Sequence, residues 1–261
     1  MDNVDTREWL LTNGLGSFAS GTICDARTRT YHGWLTAALN PPGRRILLLS
    51  HVDASLEIAG QIFSLGTNFW TDDEVGPTGY QLLQSFTVEP IPTWIWGQAD
   101  WQISRQIVMP FGLGSEKESG PHTPPRHRVL VQYRYQGSDL AIVRLRPLIA
   151  DRDFHHLQSH DSGKTFSQIL GDRQVMLQAL QNGKAGTLWT LGWSQGHYQP
   201  EGAWYWHYYY PEEAQRGLDY QEDLFSPGYL TVMLQPGDAL TIEASVGLPT
   251  GSVQNASFDR A

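Results

Sequence analysis

HRVLVQYRY, residues 127–135, alternates with a period of two: Val129, Val131, Tyr133 and Tyr135 share one face, while Arg128, Gln132 and Arg134 take the other. That is the pattern of a half-buried strand. Segments of the same kind lie on either side. GRRILLLSHV (43–52), SLEIAGQIFSL (55–65), YQLLQSFTV (80–88) and WQISRQIVM (101–109) precede it, and DLAIVRLRPLI, RQVMLQALQ, TLWTLGWS and GYLTVMLQPGDALTIEASV follow. Turn residues separate them, so the expected architecture is all-β, with antiparallel sheets packed face to face and few short helices. Hairpins are expected at Ala59, Gly60 and Gln61 and at Pro236, Gly237 and Asp238. The best helix is PEEAQRG, where Pro211 opens a turn, Glu212 and Glu213 complement its positive end and Gly217 closes it. GLGSEKESGPHTPPRH (112–127) reads as an exposed, mobile loop. Periodicity ends after Leu248, which gives one β domain over 1–248 and a linker-like tail over 249–261.

Composition bounds the function. A chain of 261 residues, 40% hydrophobic, buries a sizeable core as one domain. The formal net charge of -9 offers no field for phosphate backbones, which argues against nucleic acid. Cys24 is the only cysteine, so no intrachain disulfide or Cys-based zinc site forms, and a reducing compartment fits. The N-terminus MDNVDTREW lacks the chemistry of a signal peptide, and no apolar run approaches the roughly 20 residues that span a bilayer. The expectation is a cytoplasmic protein without a membrane partner. Ten Trp, eleven Tyr and nine Phe suit either a sandwich core or a surface on which sugar rings stack.

Four stretches carry the candidate chemistry. TNGLGSFASG lacks the context of a phosphate loop and reads as a tight turn entering a strand, with Asn13 bonding its own backbone. In TRTYHGW, an extended chain puts Arg29, Tyr31 and Gly33 on one face and Thr30, His32 and Trp34 on the other. Arg29 and Tyr31 could then bond hydroxyls while Gly33 leaves room for a ligand; alternatively Arg29 pairs with a carboxylate and His32 is a satisfied core group. DRDFHHLQSHDSG spaces His156 and His160 as helical metal ligands are spaced, but in a loop and without a third ligand, so no metal is expected. More simply, Arg152 and Asp153 hold a corner and His155 points at whatever that corner faces. AWYWHYYYPEEAQRGLDYQEDLFSPG (203–228) offers many carboxylates, and a glycosidase needs two flanking one bond. The simpler reading is a buried Arg216 paired with one of these acids.

Together, EWLLTNGLGSFASG, RTYHG, PPGRRILLLS, RDFHH and YYPEEAQRGLDYQEDLFSPG resemble, in order from Glu8 to Gly247, the N-terminal domain of glycogen debranching enzymes of the amylo-α-1,6-glucosidase type. The resemblance implies a galactose mutarotase-like β-supersandwich, non-catalytic itself, packed on a C-terminal (α/α)6 barrel that hydrolyses glucosyl branch stubs with inversion. The catalytic acid and base would lie in that barrel, and α-glucan would be the other partner; no cofactor is implied. Asn13 matches the family's opening turn, where Ser17 replaces a usual glycine. Arg29, Tyr31 and His32 match its Arg-x-Tyr-His signature, Arg152, Asp153 and His155 its Arg-Asp-x-His corner, and Arg216, Asp219, Glu222 and Asp223 its late acidic signature. These eleven are the candidate contacts to substrate or to the partner domain, and TRTYHGW would shape the rim of the α-glucan cleft where the two domains meet. The rival expectations are a free-standing carbohydrate-binding module and a mutarotase-like enzyme with a His acid and a Glu base.

Overall fold

The computed structural model describes residues 4–40, 43–71, 74–111, 126–249 and 251–259, so most of the segment read as a loop (112–125) lies outside the described residues. Turn and strand chemistry alternate along the chain as the sequence requires. The first half holds β1 (Glu8–Thr12), β2 (Phe18–Thr22), β3 (Gly33–Asn40), β4 (Arg44–Ile58), β5 (Gln61–Ser64), β6 (Thr67–Phe69), β7 (Val75–Thr78), β8 (Leu83–Thr87), β9 (Thr93–Gly97) and β10 (Trp101–Val108). The second holds β11 (Arg128–Gly137), β12 (Ala141–Asp153), β13 (Thr165–Gly171), β14 (Gln174–Gln181), β15 (Lys184–Ala185), β16 (Trp189–Trp193), β17 (His197–Tyr209), α1 (Pro211–Gln215), β18 (Gln221–Leu234), β19 (Ala239–Val246) and α2 (Asn255–Asp259).

All pairings are antiparallel. One sheet runs β1-β2-β3-β4-β12-β18-β17, with β5 folded back on β4; the other runs β13-β14-β16-β19-β11-β10-β9-β8, with β15 on β14; β6 and β7 form a small third sheet. Val129, Val131, Tyr133 and Tyr135 of β11 are buried in a contiguous core with Val52 and Leu56 of β4 and Val143 and Leu145 of β12. A second cluster, Leu47, Leu148, Ala150, Tyr208, Tyr210 and Leu224, covers the outer face of the first sheet, where Trp70 stacks on Tyr208 with ring centres 4.5 Å apart.

The hairpin at Ala59 and Gly60 forms as expected, both residues having positive φ, the conformation a two-residue turn between twisted strands demands. The helix from Pro211 also forms, ended by Gly217 at φ +70°. The turn at residues 235–238 closes through Asp238 N to Gln235 O at 2.9 Å, yet it does not make a hairpin. β18 pairs with β12 and β17, whereas β19 pairs with β11 and β16, so the chain crosses between sheets there. The reason is visible in the turn itself, which docks on β11: Gly237 N donates to Tyr135 O and Tyr135 N to Asp238 O. The tail also packs back. Val253 and Phe258 are buried, and Asn255 bonds Ala239 O and accepts from Ser194 and Thr241.

Candidate functional site

The Arg-x-Tyr-His stretch is a turn, not a strand. His32 N donates to Arg29 O at 3.1 Å, and the ring returns to accept from Thr28 N through Nδ1, also at 3.1 Å. The two-face alternation expected of Arg29 to His32 therefore does not exist, and β3 begins only at Gly33. Gly33 leaves no room for a ligand: a Cβ there would stand 2.1 Å from Leu47 Cδ1. The missing side chain lets β3 lie against β4.

Two distant segments clamp this turn, one of them braced by a third. Thr30 N donates to Glu213 Oε1 from α1 at 3.1 Å, and Thr30 O accepts from Arg152 Nη2 of β12 at 2.8 Å. Arg152 is buried, and its charge is met by Glu222 of β18, which accepts from Nε and, at 2.8 Å, from Nη2. Glu222 also accepts from Tyr210 OH at 2.5 Å and Gln158 N at 3.0 Å, so every lone-pair direction of the buried carboxylate is used. The buried late arginine expected at position 216 is thus found at 152. Arg216 itself is exposed, 3.3 Å from Glu213 Oε2, because it follows the last residue of a short helix at the surface.

Outside the turn, Arg29 Nε lies 2.5 Å from Glu8 Oε1 and its Nη2 3.4 Å from Glu212 Oε2. His32 Nε2 is 3.5 Å from the same Glu8 oxygen. The His32 ring 3.5 Å away, together with the bond from Arg29, holds the Glu8 carboxyl down at about 2, against the opposing effect of partial burial. Burial pushes the His32 imidazole down from its ordinary value, against the raising effect of the Glu8 carboxylate.

Two adjoining hollows open around Tyr31, with Phe18 and Phe154 as their shared walls. One, of about 480 Å³, takes in Glu8, Leu10 and His32; the other, of about 790 Å³, takes in His155, Glu213, Arg216, Leu218 and Asp219. Of the eleven candidates, Tyr31, His32, His155, Arg216 and Asp219 line this groove, and Arg29 braces its edge through Glu8. Arg152 and Glu222 hold its floor from beneath. Asp153 accepts from His155 N at 3.0 Å, and so tethers the exposed imidazole that stands over Phe154. Asn13 and Asp223 lie outside. Asn13 Oδ1 accepts from Leu15 N at 2.9 Å and Ser17 N at 3.1 Å and closes the turn in which Gly14 and Gly16, but not Ser17, have positive φ. Asp223 accepts from His160 Nδ1 at 2.7 Å and His207 N at 2.9 Å; this engages His160, while His156 lines the groove beside His155, so the two are not a ligand pair. Among the described residues no group of three His, Cys, Asp or Glu side chains is placed to hold a metal, and no helix is long and apolar enough to cross a membrane.

Sequence reasoning missed Phe18, Phe154 and Glu213 as groove residues. It also missed Arg105, which lies in the core bonded to both Asp25 oxygens at 2.7 and 2.9 Å, beneath the rings of Trp34, Trp94 and Trp96. Its alternation with Trp101, Ile103 and Ile107 already put it on the buried face.

The class these features define is a two-sheet antiparallel β-sandwich with an aromatic groove on the outer edge of one sheet. The chain belongs to the family of glycogen debranching enzyme N-terminal domains, whose description matches residues 7–241, nearly its whole length. A crystal structure of a GalM/aldose epimerase homologue from C. elegans is similar, with 9% identity over 93% of this chain and 99% of that one and a TM-score of 0.48. No curated protein sequence matches.

Proposed function

We propose that this chain is a non-catalytic domain that supports the catalytic barrel of a glycogen debranching enzyme and shapes its α-glucan cleft for α-1,6 branch hydrolysis. The observation that carries the reading is convergence: Tyr31, His155, Arg216 and Asp219, from segments up to about 190 residues apart, line one groove walled by Phe18 and Phe154. Aromatic walls with charged and hydroxyl-bonding groups along one side suit a glucan chain, and holding it in reactive geometry lowers a barrier without any chemistry by the holder. Leu10 and Leu218, both exposed at this groove, supply apolar surface for the neighbouring domain.

In an enzyme in which this domain is joined to its catalytic domain, Tyr31→Ala and Arg216→Ala should raise KM for a branched maltooligosaccharide. Unchanged KM and kcat in both variants, with the fold intact, would defeat the reading.

A further inference from the structure

The same sheet carries a further hollow, of about 470 Å³, that none of the eleven candidate residues lines. It lies on the outer face, beyond the cluster around Leu148 and Tyr208. Val143 and Leu145 of β12 face the inter-sheet core, so the alternation of the strand turns Arg144 and Arg146 outward. They meet Asp53 from β4, Glu201 and Tyr205 from β17 and Tyr229 from β18.

The electrostatics of this set are specific. Two outward guanidinium groups on a sheet would ordinarily attract an anion, but both are already paired: Arg144 Nη2 is 3.2 Å from Glu57 Oε2, and Arg146 Nη2 is 3.0 Å from Glu201 Oε1. Within the lining, Asp53 and Glu201 balance Arg144 and Arg146, so the hollow has no net formal charge. An incoming phosphate or carboxylate would have to displace Glu201. Arg146 is held in place, its guanidinium 5.0 Å from the Tyr229 ring centre and 5.8 Å from that of Tyr205. Asp53 is fixed as well, accepting from Asn68 Nδ2 at 3.2 and 3.3 Å with His51 Nε2 3.2 Å behind it.

The result is a concave site of small-ligand size, within the roughly 300–1,000 Å³ usual for such pockets, in which two guanidinium groups and two carboxylates stand beside half-buried phenol rings. A flat ring with many hydroxyls and no charge matches this chemistry: the hydroxyls both donate to carboxylate and accept from guanidinium, and its C–H face covers a tyrosine. We propose that this hollow is a second carbohydrate site, taking a neutral pyranose residue, separate from the groove around Tyr31. It does not depend on the role assigned to that groove.

The test is a titration of the ¹⁵N-labelled chain with maltose, followed by backbone amide shifts. Saturable shifts at Arg144, Arg146 and Tyr229 are expected. Tyr229→Ala should weaken this binding about five- to tenfold. Tyr229→Phe, which keeps the ring, should stay within about twofold of the parent chain on the same scale, with thermal melts confirming that both variants are folded. The proposal is overturned if no shifts saturate, if they occur only around Tyr31 and His155, if Tyr229→Ala binds like the parent chain, or if inorganic phosphate displaces maltose. Loss in Tyr31→Ala with retention in Tyr229→Ala would sink this site and leave the groove standing. The opposite pattern would do the reverse.

Discussion

Replacing Glu222 by Ala removes the centre of the buried network beneath the groove. In the native fold that carboxylate accepts from Arg152 twice, from Tyr210 OH and from Gln158 N. Without it, Arg152 keeps only two backbone partners, Thr30 O at 2.8 Å and Asp153 O at 3.2 Å, and its positive charge is buried without a counter-charge. Stranding one member of a buried pair costs about 3–5 kcal/mol. Orphaning a phenol and an amide adds about 1–3 kcal/mol each before water enters the space left by the side chain. With that water offsetting the second term, we expect a loss of about 4 kcal/mol. For a chain of this length the melting temperature should fall by about 10 °C. Urea unfolding followed by tryptophan fluorescence and a thermal melt both read this out. The double variant Arg152→Met with Glu222→Leu removes both charges and should recover most of the loss, because an apolar pair does not strand an ion. A single Glu222→Ala variant within about 1 kcal/mol of the parent chain would refute the reasoning and show Arg152 to be solvated in some other way.

Gly33→Ala should cost about 1–3 kcal/mol, since the added carbon would stand 2.1 Å from Leu47 Cδ1 in a packed core; an unchanged urea midpoint would show that β3 and β4 can separate freely. The Glu8 carboxyl, held at about 2 against an ordinary value of 4.5, stabilises the fold fully above pH 4.5 and loses that contribution as pH falls from 4.5 toward 2. Glu8→Gln should therefore flatten the fall of the urea midpoint across that window, and an identical slope in both proteins would contradict the pairing with His32 and Arg29. Burial pushes the Cys24 thiol up to about 11, so a disulfide reagent at pH 8 should label it only as fast as the chain unfolds. Labelling of the native protein within seconds would disprove that burial.

How far the sequence reaches depends on whether a feature is local. The alternation in β11, the reversal at Ala59 and Gly60, the helix from Pro211 to Gly217 and the Asn13 turn are set by neighbouring residues and were legible. The turn at 235–238 was legible as a reversal but not as a crossing, because the same residues serve both and only their bonds to Tyr135 decide. TRTYHG counts as alternating, yet the bond from Thr28 N to His32 folds it into a turn, a choice that rests on Glu213 and Arg152 more than 100 residues away. Which arginine is buried followed from the same distance: Arg152 lies mid-network on a strand, whereas Arg216 ends a surface helix. The groove was legible only as a set of residues, since spacing in the chain carries no separation in space.

The central claim is that Tyr31 marks a glucan-holding rim on a domain that does no cutting itself. The most direct test is calorimetric titration of this chain and of its Tyr31→Ala variant with a branched maltooligosaccharide, with glucose release followed in the same samples. The account predicts binding that is weakened in the variant and no glucose from either protein. Glucose release by the chain, or a titration that Tyr31→Ala leaves unchanged, would contradict it.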